Sequence, residues 1–534
     1  MTEATATPAQ QIAAGYDTTG QALELGSVMV AGTCDPTARI RIPLAMMNRH
    51  GLVAGATGTG KTKTLQLIAE QLSAAGVPVV MADFKGDLSG LSRPAESNDK
   101  IVARAQDTGD DWVGTPFPVE FLSLGTGGLG IPVRATISAF GPILLSKVLG
   151  LNQNQESSLG LIFHYADQQG LPLLDLKDLR SVITFLTNTD EGKAQLKSLG
   201  AVSSQTAGVI LRALINLQAE GGDTFFGEPE LEPADLIRVD AQGKGIISLF
   251  ELGDQAARPV MFSTFLMWVL ANLFNELPEV GDVDKPKLVF FFDEAHLLFK
   301  DASKAFLDQV EQTVKLIRSK GVGVFFCTQL PTDVPNAVLS QLGARVQHAL
   351  RAFTPDDQQA LAKTVRTYPK TQFYDLATDL TSLGIGEAIV TVLSERGAPT
   401  PVAWTRLRSP RSLMDTIGPD YIKAAAQASP LFLKYGATVD RESAYEMLAA
   451  KMAPPPSEPA EADAGVGGVS IDLPPIPTGI DLPPMPAPVD KAEPGMLEQM
   501  MDNPAFKSAM RSAGTVIGRE ITRSIFGTGR RRRR

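Results

Sequence analysis

The chain has 534 residues, of which 44% are hydrophobic and 20% charged, so it is too long for one core and predicts two or three globular units. Its two cysteines, Cys34 and Cys327, exclude a disulfide framework or cysteine-rich zinc site and suit a reducing cytoplasm. The net charge of −10 argues against general nucleic-acid binding, and neither a signal peptide nor an apolar run of about 18 residues, as a transmembrane helix needs, is present.

The first elements predict a short βαβ unit. Residues 1–45 are expected to form a strand or hairpin that leads into it, with Arg39–Ile42 as strand. Gly51–Ala54 is a short apolar run followed at once by glycines, and Thr64–Ser73 has helical spacing. Val77–Met81 then predicts the next strand, which ends at Asp83.

Residues Gly55–Thr62, between the first strand and the helix, fit the pattern of a phosphate-binding P-loop in full. Glycines allow backbone amides to wrap phosphate oxygens, and the positive end of the helix dipole points at them. Lys61 is expected to reach the β- and γ-phosphates of ATP, and Thr62 to give its hydroxyl to Mg²⁺. A glycine-rich turn without ligand is the alternative, but the preceding strand and following helix disfavour it. The predicted nucleotide-binding residues are Gly55, Ala56, Thr57, Gly58, Thr59, Gly60, Lys61, Thr62 and Lys63.

Residues 135–235 predict a helical insertion. Apolar residues recur there at spacings of three and four, as at Leu179, Val182, Ile183 and Leu186, and strand signals are sparse. We expect a separately packed helical subdomain at the edge of the sheet, contributing to substrate contact or ring geometry.

Strand signals return after residue 236. The runs are Gly245–Phe250, Leu288–Phe292, Gly323–Cys327 and Ala388–Val392. Because nearly continuous apolar strands alternate with helical segments, they predict an α/β fold whose mainly parallel sheet is covered on both faces.

An acidic pair follows the most apolar of these strands. A P-loop enzyme needs one carboxylate near Mg²⁺ and a group that activates water. Asp293 is the candidate metal-side residue and Glu294 the candidate general base. The alternative is a pair of solvated acids that cap a helix. The letters Asp-Glu-Ala-His do not indicate an RNA helicase of the DEAH type, because its other motifs and second motor domain are not recognisable; His296 is interpreted as a helix-face residue rather than a sensor.

Two further candidates flank the next strand. Gln329 follows Phe326–Thr328 and is placed to sense the γ-phosphate or to position water, unless it is a plain turn residue before Pro331. Arg318 precedes that strand and suits an arginine finger that reaches a nucleotide in a neighbouring subunit; a solvated arginine at a helix end is the alternative.

The C-terminal part changes composition. Residues 411–452 predict a helical extension, and residues 453–495 a disordered Pro-rich linker that repeats Ile-Asp-Leu-Pro-Pro. Residues 496–534 predict a basic amphipathic helix. From Phe506 to Arg534 this tail carries nine basic residues and one acid, which leaves the rest of the chain at −18. Such a helix suits docking on a membrane surface, a partner or nucleic-acid phosphate, or packing on its own acidic core.

Several of these segments together resemble the HerA–FtsK superfamily of P-loop motors, and most of all the bacterial YjgR-like group with its HerA-like helicase C-terminal domain. They are Asn48–Gly51 running into the P-loop, Asp83–Leu88, the acidic pair, Arg318 and the strand end at Thr328-Gln329, with further likeness at Ile131–Arg134 and Gly514–Arg523. The resemblance covers most of residues 25–450 and the tail.

The resemblance implies a RecA-like core, divided here into residues 46–134 and 236–410, that assembles as a homo-oligomeric ring, with a hexamer favoured and active sites between subunits. It implies translocation of DNA by many members and of protein by the secretion relatives. Only about fifty residues precede the P-loop, so we expect the N-terminal barrel of HerA to be absent or much reduced. The leading interpretation is an ATP-hydrolysing motor; a slow ATP-regulated interaction protein or a protein-remodelling ATPase stays open, and a metabolic kinase is disfavoured.

Overall fold

The apolar strands of the sequence meet in one twisted sheet. The computed structural model describes residues 6–83, 86–198, 202–251 and 259–452, all within the compact unit Met1–Pro455. Phe84 and Lys85 of the Asp83–Leu88 segment, the predicted linker 453–495 and the predicted tail 496–534 lie outside the described residues.

Twelve strands are present in the described part of the chain. They are β1 Ala22–Val30, β2 Thr33–Pro43, β3 Gly51–Ala54, β4 Val79–Asp83, β5 Val119–Leu124, β6 Ile131–Val133, β7 Ile247–Glu251, β8 Leu288–Phe292, β9 Val322–Thr328, β10 Ala344–Gln347, β11 Glu387–Thr391 and β12 Ala403–Leu407. Their order in the sheet is β2-β1-β12-β11-β10-β3-β9-β8-β4-β7-β5-β6. The short strands β5, β6, β10 and β12 were not predicted, since runs of three to six residues that include Pro132 or Arg345 carry little strand signal.

Eight consecutive strands, from β10 to β6, run parallel, which confirms the mainly parallel sheet. The prediction that Ala388–Val392 belongs to the parallel set is wrong, because β11 is antiparallel to both β10 and β12. Burial on both faces makes a strand apolar whatever its direction, so composition could not distinguish the two cases.

Helices connect the strands. They are α1 Pro8–Ala13, α2 Lys61–Ala74, α3 Asp99–Thr108, α4 Ile137–Val148, α5 Gln153–Gln168, α6 Leu176–Asn188, α7 Asp190–Ser198, α8 Ser204–Ala219, α9 Pro259–Glu276, α10 His296–Phe299, α11 Lys304–Ile317, α12 Asn336–Leu339, α13 Pro355–Val365, α14 Leu376–Ser382, α15 Pro419–Ala428, α16 Pro430–Tyr435 and α17 Ala444–Met452.

Each face of the sheet has its own core, as the alternation of side chains along β8 shows. Phe290 and Phe292 pack with helices α4 to α9 and α11 on one face. Val289 and Phe291 pack on the other face with α1 and α2, the helix that follows the P-loop. Period-two alternation of a strand therefore explains why every β8 residue is apolar: both faces are covered.

Helices α4 to α8 occupy the predicted insertion, but they are not separately packed. Leu145 of α4, Leu179 of α6 and Leu214 of α8 are buried in the same hydrophobic cluster as Val80 and Phe290 of the sheet. The helices therefore form a layer over one face of the sheet. An amphipathic stripe shows that a helix buries one face, but it does not show what lies against that face.

The N-terminal hairpin continues the sheet. β1 and β2 pair antiparallel, and β1 joins β12, so residues Arg39–Ile42 lie in a strand as predicted. In the extension that follows the last strand, α17 packs against α6, where the Asp178 carboxylate accepts the amide of Tyr445 at 2.9 Å. This contact fixes the end of the described chain on the helical layer.

Candidate nucleotide-binding site

The predicted strand, loop and helix around Gly55 are confirmed: β3 ends at Ala54 and α2 begins at Lys61. Gly58 and Gly60 have φ of 81° and 110°, values that L-residues with a side chain rarely adopt. At Gly55 an added Cβ would lie 2.5 Å from the Cβ of His348. Glycine is therefore favoured at these three positions by the backbone conformation at Gly58 and Gly60 and by the close approach of His348 to Gly55.

The inner surface of the loop offers donors. The Lys61 ammonium donates to the carbonyl oxygens of Gly55 at 2.7 Å and Ala56 at 3.2 Å, so it lies across the loop. The main-chain amides of residues 58–60 donate no hydrogen bond to any described residue. Free amides beside a helix N-terminus and a lysine match the chemistry of a polyphosphate.

The two residues after Lys61 differ in direction. Thr62 and Lys63 are half-buried in the first turn of α2. The Lys63 ammonium donates to the Asp87 carbonyl at 3.3 Å, towards the turn after β4. The side chain of Lys63 is therefore directed to that turn, and its main-chain amide is the part of the residue that lies beside the loop.

Asp293 follows β8 at the same edge of the sheet. Burial raises the pKa of its carboxyl, while a hydrogen bond from the Cys327 thiol and the charge of Lys61 lower it. One oxygen also accepts the Glu294 amide at 2.9 Å. The buried Cys327 thiol at the end of β9 is thus a neighbour of this carboxyl, which its isolation in the sequence did not reveal.

Glu294 adopts a left-handed backbone conformation with φ of 47°. Such a conformation costs of order 1 kcal/mol or more for a residue with a side chain, and it turns the chain sharply at the strand end. The carboxylate Oε2 lies 3.3 Å from Nδ1 of His296, at the start of α10. His296 therefore faces Glu294 from the first turn of α10, a proximity that the sequence did not predict.

Gln329 lies between these elements. It is exposed directly after β9, and the carbonyl of the preceding Thr328 accepts the Gly55 amide at 3.2 Å. Since β9 separates β3 from β8, Gln329 follows the strand between the loop and the acidic pair. The structure thus brings Lys61, Asp293, Glu294 and Gln329 to one edge, because the carboxyl ends of parallel strands meet there.

Arg318 is not at this edge. It lies just before β9, at the amino ends of the parallel strands, where its Nη2 is 3.6 Å from Asp282 Oδ1. Arg49 lies 3.4 Å from the same oxygen. Together with Lys315 and Arg345 they line a cavity of about 470 Å³. We call this the basic cavity.

A sequence model of the family described as Helicase HerA-like C-terminal matches residues 29–534. The chain belongs to this family. It is 21% identical over 367 residues to the DNA double-strand break repair helicase HerA of Saccharolobus solfataricus, covering 68% of this chain and 66% of that protein. The HerA-like chain thus spans just under two thirds of the length of that relative.

Solved structures give a weaker likeness. The bacterial conjugative coupling protein TrwB, in its unbound form, matches with a TM-score of 0.49 and 16% identity over 77% of this chain and 95% of that one. VirB4 of Thermoanaerobacter pseudethanolicus matches with a TM-score of 0.46 and 15% identity over 74% and 98% of the two chains.

The HerA-like site contains residues that the sequence analysis missed. His348, after β10, is fully buried, and its Nε2 lies 2.9 Å from Thr64 Oγ1 of α2. Burial, and next the charge of Lys61, lower its pKa to about 4, so it is neutral at pH 7. A histidine after a four-residue strand carries no sequence signal of this role.

A second feature that the sequence did not predict is a pair of carboxyl groups, Asp83 and Glu251, at the ends of β4 and β7, the two strands that follow β8 in the sheet. Asp83 ends β4 and accepts the amides of Asp87 and Leu88 at 3.1 and 2.8 Å. Its register partner Glu251 ends β7 and is 4% exposed. Burial, and next the charge of Asp83, raise the pKa of Glu251 to about 8. The spacing of 168 residues hides this neighbour relation in the sequence.

No group of three or more His, Cys, Asp or Glu side chains among the described residues is arranged to hold a metal ion. The predicted Mg²⁺ site differs in kind, because Thr62 and Asp293 would share the ion with nucleotide phosphates. None of the described helices has the length and apolarity that crossing a membrane requires.

Proposed function

We propose that this protein is an ATP-hydrolysing motor of the HerA–FtsK type. The observation that carries the proposal is the meeting of the Lys61 loop with Asp293 and Glu294 at one edge of the sheet. Phosphoryl transfer needs little covalent help from a protein, so a cation, a metal-side carboxylate and a water-activating group in this arrangement are sufficient.

Each residue has a proposed role. Lys61 exchanges its two loop carbonyls for the β- and γ-phosphates of ATP. Thr62 and Asp293 would hold Mg²⁺, which would supply positive charge to neutralise the phosphates. Glu294 accepts a proton from the attacking water, and Gln329 orients that water or senses the γ-phosphate. Nδ1 of His296 lies 3.3 Å from the Glu294 carboxylate and is a neighbour of this proposed base.

We further propose a homo-oligomeric ring, with a hexamer favoured, in which Arg318 acts on the neighbour's nucleotide. Arg318 and the P-loop occupy opposite edges of the sheet. Within one chain the guanidinium therefore lies away from the phosphates. A head-to-tail ring brings the amino edge of one subunit to the carboxyl edge of the next, and the planar cation then meets charge on the transferring phosphoryl group.

We propose that DNA is the polymer on which this motor acts. The relative in Saccharolobus solfataricus is named a DNA double-strand break repair helicase, which favours DNA over protein as the substrate of this chain.

We also propose a cytoplasmic location and a docking role for the basic residues of 496–534, whose structure lies outside the described residues.

Steady-state ATP turnover with and without DNA tests this proposal. Purified full-length protein should hydrolyse ATP in Mg²⁺, and single- or double-stranded DNA should raise the rate several-fold at low salt. Glu294→Gln protein is the matched control for contaminating ATPases. Hydrolysis that DNA leaves unchanged would contradict the DNA substrate, and absence of turnover in both conditions would contradict the motor itself.

A further inference from the structure

Two loops on the far side of the P-loop from the acidic pair contact it directly. The first is the segment 349–354 after β10, which we call the β10 loop. The carbonyl of Ala349 accepts the Ala56 amide at 2.8 Å, and the Arg351 guanidinium donates to the Thr57 carbonyl at 3.4 Å. The second is the segment 383–386 before β11, the β11 loop, where the Gly386 amide donates to the Thr59 carbonyl at 3.2 Å.

Each loop presents an exposed apolar side chain. Phe353 is 82% exposed and Ile385 is 76% exposed, although both are flanked by backbone that is held in place. The Asp357 carboxylate accepts the amides of Phe353 and Thr354 at 3.2 and 2.9 Å. The Arg104 guanidinium donates to the carbonyls of Ile385 and Gly386 at 3.2 and 2.8 Å. Both exposed side chains therefore lie on loops whose backbone is fixed and that contact the P-loop directly.

The order of the sheet indicates which occupant. β9 and β8 lie on one side of β3 and carry Gln329, Asp293 and Glu294, so the γ-phosphate end of a nucleotide belongs on that side. β10 and β11 lie on the other side of β3. A nucleoside triphosphate is a linear molecule, so its nucleoside end leaves the P-loop across β10 and β11, where the two loops lie.

We propose that Phe353 and Ile385 form a platform for the base of the bound nucleoside triphosphate, with Phe353 stacking on it. This inference rests on the proposed function of the P-loop as the triphosphate site. Stacking of a base on an aromatic ring is a substantial contact and is indifferent to the identity of the base.

The platform has consequences for base selection. Glu387, next to the β11 loop, accepts the Gly384 amide at 2.9 Å and the Trp404 indole at 3.1 Å and pairs with Arg406 at 3.2 Å. Asp357 is engaged by the β10 loop itself. These carboxylates are therefore committed to the protein. A site that reads base edges by hydrogen bonds discriminates by about 10⁴–10⁵, so a stacking site should bind ATP and GTP within about tenfold of each other.

Inorganic tripolyphosphate carries three phosphates and no base, so comparing its affinity with that of ATP isolates the contribution of the nucleoside. We would measure dissociation constants of full-length protein for Mg²⁺-ATP, Mg²⁺-GTP and Mg²⁺-tripolyphosphate. Phe353→Ala should weaken ATP roughly 5- to 150-fold and leave tripolyphosphate unchanged, since loss of one base-stacking contact has that size. Phe353→Trp should keep ATP affinity. Leu433→Ala, which removes another exposed apolar side chain (90% exposed), should change neither ligand.

The outcomes are distinguishable. If Phe353→Ala and Ile385→Ser both leave the ratio of ATP to tripolyphosphate affinity at the wild-type value, the platform does not hold the base, and a change in oligomer size alone would reassign it to a subunit contact. ATP preferred over GTP by 10³ or more would also overturn the stacking mode. Wild-type protein that binds neither ATP nor tripolyphosphate would contradict the proposed function, which Lys61→Ala, losing both ligands, checks independently.

Discussion

The two edges of the parallel sheet hold their charges in different ways. At the carboxyl edge, Lys61 donates to the carbonyls of its own loop, and Asp293 is half-buried beside Cys327. At the amino edge, Arg49 and Arg318 share Asp282, whose side chain is 87% exposed, at 3.4 and 3.6 Å. The first edge is organised by the chain itself. The second has several cations around the basic cavity and a solvated counter-charge, which stabilises them little.

The largest expected effect tests the carboxyl edge. Lys61→Ala should abolish ATP hydrolysis, because no other side-chain ammonium crosses the loop among the described residues. Turnover is measured with a coupled assay, and Lys100→Ala, an exposed lysine on α3, is the matched control. Appreciable hydrolysis by the Lys61 variant would place the catalytic cation elsewhere.

The amino edge should matter only in the assembly. Arg318→Ala protein should bind ATP and assemble normally, yet turn over about 10³-fold or more slowly if Arg318 is a finger acting across the interface. Mixing it with Glu294→Gln protein should restore some activity, because a mixed ring contains interfaces with both groups intact.

Arg212→Ala, an exposed arginine on α8, is the control for loss of surface charge. If wild-type protein is monomeric and fully active at low concentration, Arg318 does not act across a subunit interface, because one chain then hydrolyses ATP by itself.

Glu294→Gln should keep nucleotide affinity and lower turnover by about 10²–10⁴, because the amide retains the shape of the side chain and cannot accept a proton. Binding is measured by titration with a fluorescent ATP analogue and turnover by phosphate release. Wild-type turnover in this variant would assign the general base to another residue. Loss of nucleotide binding would show that Glu294 contributes to binding and not only to hydrolysis.

One effect at the carboxyl edge concerns stability and not turnover. The pKa of Glu251 is raised to about 8 in the folded protein, so the folded state keeps this proton while the unfolded chain loses it near pH 4.5. The free energy of unfolding should therefore fall as pH rises from 4.5 to 8, by up to about 1.4 kcal/mol per pH unit from this group.

Glu251→Gln removes that contribution, so the variant should gain stability over the wild type progressively from pH 5 to pH 8. Urea unfolding at each pH measures the difference, and Glu279→Gln, an exposed glutamate, should show no trend. A difference between Glu251→Gln and wild type that is constant with pH would mean that Glu251 is ionised in the fold across this range.

The fold could be anticipated where the signal is local. The Gly55–Thr62 loop, β8 with its two acids and the alternation of apolar strands each depend on residues within a few positions of one another. Phosphate binding needs consecutive amides, and a buried strand needs consecutive apolar side chains. The nucleotide-binding elements and the parallel sheet were therefore predictable from spacing and residue type alone.

Tertiary structure decided everything that depends on pairs distant in the chain. Glu251 meets Asp83 across 168 positions, His348 meets Thr64 across 284, and the β11 loop meets Thr59 across more than 300. The direction of β11 and the shared core of α4 to α8 likewise depend on how distant segments pack. Local periodicity reports whether a residue is buried, and only the packed chain determines which distant residue lies against it, because contact is made through space and not along the backbone.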